Sequence, residues 1–232
     1  YDAVAAGLAD VMVTGGSDVL ARLTYGGFNS LRSVDPDPCR PFDRERRGLS
    51  IGEAAGILVF EEEERAKRRG AGILAEFLGY GVTSDAFHMT APDPSGAAGA
   101  RTIRAALDAA RVNPGDVDYV NAHGTATAQN DSAETAAVKV ALGERAREIP
   151  ISSIKSMIGH CLCASGAIEA VATVQTVREG RVPPTIHYEN PDPACDLDYV
   201  PNESRDAAVS VALSNSFAFG GNSSVVVIGR YS

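Results

Sequence analysis

Basic residues are in short supply: 21 Lys and Arg stand against 30 Asp and Glu, a formal net charge of −9 over 232 residues. That balance disfavours a nucleic-acid binder, whose phosphate contacts need a basic face. No apolar run reaches the length needed to cross a bilayer, so no membrane association is expected. The opening Tyr1-Asp2-Ala3 is not a basic start followed by an apolar stretch, so no leader is expected and a cytoplasmic setting is. Cys39, Cys161, Cys163 and Cys195 lack the spacing of a disulfide framework and are expected as reduced thiols. No repeat period and no G-x-S-x-G elbow is present, and the candidate ligands do not converge as a metal site requires. Residues 1–9 have helical character but no cap before them. The expectation is an element cut inside, with an N-terminal segment supplied in the same or another chain.

What is present is an alternation of apolar runs with helical patterns, in a chain of 44% hydrophobic content. Strands are expected over residues 11–14 (buried, and closed by a Gly15-Gly16 turn), 54–60, 73–81, 117–121, 149–154, 209–213 and 225–228. Helices are expected over 61–69, 99–112, 131–142 and 164–179, with Asp131 and Glu134 spaced as a capping box. Residues 26–48 read as a long loop rich in Pro, Arg and Asp, of the kind that is usually functional or interface-forming. Alternating strands and helices imply an α/β architecture whose sheet is covered on both faces.

Two histidines hold equivalent places. His123 and His160 each follow an expected strand, precede an expected helix and adjoin a glycine, Gly124 or Gly159. Sites in open α/β sheets are built at the carboxyl ends of strands. If the two strands are neighbours, both imidazoles project into one crevice. His88 and His187 lack that setting. Lys155, five residues before His160, is either held in the crevice or is a surface strand-end lysine. Glu169 falls in an otherwise apolar helix, and Lys155 is its candidate partner if it is buried. Thr125 and Thr127 either donate to an amide-bearing ligand or satisfy the turn after His123. The Phe219-Gly220-Gly221 turn either faces an oxyanion with its backbone amides or is simply tight. Cys161 and Cys163 read as packing residues.

Taken together, the motifs are more specific than any of them alone. Asn121-Ala122-His123-Gly124-Thr125-Ala126-Thr127 and Lys155-Ser156-Met157-Ile158-Gly159-His160 resemble segments of the β-ketoacyl-acyl-carrier-protein synthases. Pro183-Pro184-Thr185-Ile186, Asn190-Pro191-Asp192-Pro193 and Leu213-Ser214-Asn215-Ser216-Phe217 follow in that family's order. Arg40-Pro41-Phe42-Asp43 and Ser84-Asp85-Ala86-Phe87-His88-Met89 are also similar. The likeness covers essentially the whole chain and is closest to elongating enzymes of type II fatty-acid synthesis and their polyketide relatives.

The resemblance implies the thiolase-like fold, two α/β halves in five αβαβα layers. Residues 1–72 would end the N-terminal half and residues 73–232 would form the complete C-terminal half. It implies decarboxylative condensation of an acyl thioester with malonyl-acyl carrier protein, through a cysteine with no counterpart in this chain. His123 and His160 would hold the malonyl thioester oxygen, Lys155 would orient them, and Glu169 would partner Lys155. Thr125, Thr127, Thr90 and Gly220 would contact the phosphopantetheine arm of the carrier protein, the only cofactor implied. Phe219 would supply an oxyanion-hole amide and a gating ring, and Arg32, Lys67, Arg68 and Arg69 would dock the acidic carrier. A homodimer or heterodimer is implied; the alternative role is a non-catalytic partner of the chain-length-factor kind. Ala218 departs from the family's Gly-Phe-Gly-Gly gate, and Asn222-Ser223 departs from the usual residues after it.

Overall fold

The computed structural model describes residues 1–232. Its helices are α1 (Asp2–Ala5), α2 (Arg22–Ser30), α3 (Glu63–Arg68), α4 (Ala97–Ala110), α5 (Asn130–Leu142), α6 (Lys155–Ile158) and α7 (Ser165–Glu179). Its strands are β1 (Val11–Asp18), β2 (Ala54–Glu61), β3 (Glu76–Ser84), β4 (Tyr119–Asn121), β5 (Ile151–Ser152), β6 (Arg181–Val182), β7 (Arg205–Asp206), β8 (Val211–Phe217) and β9 (Asn222–Gly229).

The central sheet has the order β3-β9-β8-β4-β5. It is mixed: β4 runs parallel to β5 and β8, while β8–β9 and β9–β3 are antiparallel. Successive side chains of a strand point to opposite faces, and here each face has its own core. Val120, Leu213, Val225 and Val227 pack with Ile103 and Leu107 of α4 and Val138 and Leu142 of α5. Their neighbours Tyr119, Ala212, Val226 and Ile228 pack with Val174 and Val177 of α7. The antiparallel β1–β2 pair lies on the far side of α7, where a Cβ on Gly56 would stand 3.0 Å from the Ala167 carbonyl carbon. The layers therefore run α4/α5, central sheet, α7, β1–β2.

Close helix-to-sheet contact sets the glycines of β3. A Cβ on Gly81 would meet the Thr102 carbonyl oxygen at 2.5 Å and the Ala106 nitrogen at 2.6 Å. Gly81→Val is therefore expected to force α4 off the sheet and to destabilise by about 1–3 kcal/mol, the usual range for overpacking. A thermal unfolding curve read by circular dichroism checks this, and an unmoved midpoint contradicts it.

Several expectations are corrected. The first helix is only Asp2–Ala5. β1 does not stop at Gly15-Gly16 but runs through them to Asp18. Those glycines serve close approach rather than a turn, since a Cβ on Gly15 would overlap the Gly56 carbonyl and one on Gly16 the Cys163 carbonyl. Nor is β1 buried: Val11, Met12 and Val13, with Ile57 and Val59 of β2, are exposed. The long loop at 26–48 is invaded by α2, which ends at Ser30. The strand expected over 149–154 has only two paired residues, because Lys155 already begins α6. Asp131 and Glu134 do not cap α5, whose N-cap is Gln129 without a side-chain bond.

Candidate active site

Neighbouring parallel strands β4 and β5 aim their carboxyl ends the same way, and His123 and His160 lie just beyond them. The imidazole centroids are 5.4 Å apart with their planes at 86°. Both rings line one cleft of about 860 Å³. Phe217, at the end of β8, places its ring 6.0 Å from that of His123.

The acids expected to cap α5 instead brace the His123 loop. Glu134 is buried, and its carboxylate accepts from the His123 amide at 2.8 Å and the Gly124 amide at 2.8 Å. Asn215 Nδ2, from β8, donates to the same carboxylate at 3.1 Å. Asp131 accepts from the Phe42 amide at 2.7 Å and the Ala126 amide at 3.1 Å, fixing Ala126 at φ 64°. Gly124, at φ 38°, has no room for a side chain, because its Cβ would lie 2.5 Å from that of Ser153. Arg46 completes the clamp: it donates to the Thr127 carbonyl at 3.3 Å and to Asp192 at 2.5 Å.

Lys155 is not a strand-end surface residue. It is 1% exposed and forms an ion pair with Glu169, also 1% exposed. Burial lifts the Glu169 carboxyl to about 7, against the opposing pull of the ammonium. Burial, followed by the charges of Lys155 and His160, holds the His123 imidazole well below its usual range. Burial and then Lys155 hold His160 down at about 3. Both rings are therefore uncharged near neutrality, when each carries one N–H donor. Three buried oxygens around this cluster accept no hydrogen bond: Asn121 Oδ1, Glu169 Oε2 and Asn215 Oδ1. No group of three or more His, Cys, Asp or Glu is arranged to hold a metal.

Thr125 and Thr127 line the cleft, with their hydroxyls 3.0 Å apart. Thr90 also lines it, as does Phe219, whose ring stacks on Phe28 of α2 at 5.7 Å. Gly220 is at φ 77° and donates its amide to the Met89 carbonyl at 2.8 Å, tying the turn to the loop at 84–92. It does not line the cleft. Arg32 does, at φ 53° and without an ion pair. Lys67, Arg68 and Arg69 are outside the lining; Lys67 is engaged by Glu63 and Glu64 of its own helix, and Arg69 by Glu61 at the end of β2. Cys161 is buried as expected of a packing residue, but Cys163 is exposed and lines the cleft. Asp18 beside it pushes the Cys163 thiol up.

Glu134, Asp131 and Arg46 escaped the sequence reading as site residues. The available signal was acidic residues on a helix directly after the histidine turn, and that pattern equally describes a cap.

The layered arrangement, a doubly covered sheet backed by a second sheet across a shared helix, is that of the thiolase-like class, as its solved structural neighbours also show. Within it, the domain described as "Beta-ketoacyl synthase, N-terminal domain" matches residues 1–66 and the "Beta-ketoacyl synthase, C-terminal domain" matches residues 74–189. The chain belongs to the β-ketoacyl synthase family. It is 50% identical over 232 residues to a 3-oxoacyl-[acyl-carrier-protein] synthase 2 of Synechocystis sp., covering 97% of this chain and 56% of that protein. The protein of the same name from Staphylococcus aureus strain COL is 45% identical over 237 residues, covering 100% of this chain and 57% of the relative. A solved complex of a type II polyketide synthase acyl-carrier protein with its ketosynthase superposes with a TM-score of 0.98 at 43% identity, over 100% of this chain and 59% of the other. The chain thus spans little more than half the length of the relatives it matches. No helix is long and apolar enough to cross a membrane.

Proposed function

We propose that this chain supplies the decarboxylating part of an enzyme that condenses an acyl thioester with malonyl-acyl carrier protein. The observation that supports this best is the pair of uncharged imidazoles 5.4 Å apart in one cleft. An N-terminal cysteine from outside these residues would carry the acyl group as a thioester. The N–H groups of His123 and His160 would donate to the malonyl thioester oxygen. The bond to the carboxylate breaks, carbon dioxide leaves, and its electron pair passes into an enolate whose oxygen both donors stabilise. The enolate carbon then attacks the acyl thioester, and the cysteine thiolate leaves.

The other residues take roles around that step. Thr125 and Thr127, with Thr90 of the same cleft, would bind amides of the phosphopantetheine arm. Phe219 would contribute an amide to the acyl oxyanion and a ring that closes the cleft. Lys155 would act by position, its ammonium adding to burial in keeping both imidazoles neutral, and Glu169 would hold Lys155 in place. Arg32, unpaired at the cleft, would meet an acidic carrier against the chain's net charge of −9. A cytoplasmic setting accords with four unbridged cysteines. A purely non-catalytic, chain-length-factor role would leave the paired histidines without work.

The test is to join the chain to the N-terminal segment of the Synechocystis relative and supply acyl and malonyl carrier proteins. A β-ketoacyl product is expected. A free histidine titrates near 6.5, whereas His160 is held at about 3. The nitrogen-15 resonances of His123 and His160 should therefore show no inflection near pH 6.5 as pH falls from 8 to about 5.5. Absence of product overturns the proposed activity, and an inflection at 6.5 overturns the uncharged state of the buried rings.

A further inference from the structure

The two imidazoles are not equivalent. His160 Nδ1 has two neighbours: the Leu162 amide at 3.1 Å and the Ser165 hydroxyl at 2.9 Å. His123 Nδ1 is buried with no partner at all. An amide N–H can only donate, so Nδ1 of His160 must present its lone pair and the ring proton must sit on Nε2. The Ser165 hydroxyl then donates to the same nitrogen. Leu162 reaches its place by adopting φ 46°, and the His160 backbone is pinned on both sides, by Ser50 at 2.7 Å and Gly52 at 3.1 Å.

Ser165 is the first residue of the 15-residue α7, one position past the N-cap Ala164. Here no side chain caps that helix end, and the Ser165 hydroxyl has His160 Nδ1 as its one hydrogen-bond partner. The residue is 7% exposed, so solvent offers little substitute, and it lines the cleft beside the ring it touches.

We propose that Ser165 is a positioning residue that holds the His160 ring and reinforces the Nε2–H donor state set by the Leu162 amide, leaving the tautomer of His123 to be set by the bound substrate. By donating to Nδ1, the hydroxyl also draws electron density from the ring and makes Nε2–H a better donor to a developing enolate. The division of labour is then that His160 is preset and His123 adapts. This rests on the decarboxylating role proposed for the cleft.

The experiment combines nitrogen-15 spectroscopy of the histidines at neutral pH with malonyl decarboxylation, both in the chain joined to the relative's N-terminal segment. In the unaltered protein, His160 should show one Nε2–H tautomer with Nδ1 in the hydrogen-bonded position. Ser165→Ala should move the Nδ1 resonance toward that of a free imine nitrogen. It should also slow decarboxylation about 3- to 10-fold, the range for losing one hydrogen bond, at unchanged KM. Ser165→Thr, which keeps the hydroxyl, should restore both. If Ser165→Ala does not fold, Ser165→Cys, a weaker donor of similar size, should shift both readouts the same way. A His160 spectrum indifferent to the loss of the hydroxyl overturns the assignment. If the unaltered protein releases no carbon dioxide, the role of the cleft fails, while the spectra still decide whether the Ser165 hydroxyl binds and holds the His160 ring.

Discussion

Alanine at His160 is expected to slow carbon dioxide release from a malonyl thioester by about 100–1,000-fold, the usual cost of removing one donor from an oxyanion site. Loading of an acyl group onto the cysteine should be spared. The asymmetry follows from where His160 sits. Its ring is 5.4 Å from His123 and lines the same cleft, and both are uncharged donors. Only the malonyl step builds charge on the oxygen they face. Acyl transfer to the cysteine places its charge elsewhere, at the proposed Phe219 amide. Single-turnover assays with malonyl and acyl carrier proteins separate the two steps. Equal loss in both would show His160 to be structural, and no loss in either would remove it from the reaction.

The second large effect concerns stability. Lys155 and Glu169 are each 1% exposed and paired with one another. Removing one partner of such a pair leaves a charge without compensation in a low-dielectric interior and costs about 3–5 kcal/mol. Lys155→Ala is therefore expected to lower the denaturant midpoint by that equivalent, beyond what a surface lysine would do. Replacing both residues, Lys155→Met with Glu169→Leu, should recover most of the loss, because well-packed apolar side chains of similar volume match buried pairs in stability. The double variant should nonetheless lose decarboxylation, since it removes the ammonium beside both imidazoles. Full stability in Lys155→Ala, or no recovery in the double variant, would mean that the pair is not the charge balance of this core.

The sequence made some of this site legible and hid the rest for definite reasons. His123 and His160 are found by local pattern, a short apolar run ending in a histidine beside a glycine, and strand adjacency brings them together. Lys155 and Glu169 needed burial to choose between the surface and the crevice, and burial is a property of the whole fold. Asp131 and Glu134 were misread because an acid pair three residues apart serves a helix cap and a loop brace alike. What decides is the partner: Phe42, whose amide binds Asp131, lies 89 residues away in the chain. Arg46 has the same problem, with its partner Asp192 at a separation of 146. Gly15 and Gly16 look like a turn until the backbones of Gly56 and Cys163 are seen to press against them. The basic run at 67–69 resembled a docking patch, but Lys67 and Arg69 are already engaged by Glu61, Glu63 and Glu64, so local charge was no guide to available charge.

The decarboxylating apparatus should reside in these 232 residues. The most direct measurement is carbon dioxide release from malonyl-acyl carrier protein by the chain joined to the Synechocystis relative's N-terminal segment, with that segment's nucleophilic cysteine replaced. With no acyl-cysteine to attack, the enolate can only be protonated. Continued release of carbon dioxide and formation of acetyl-carrier protein are expected, slowed about 100–1,000-fold by His160→Ala. Complete loss of release on removing the cysteine, with His123 and His160 intact, would contradict that placement.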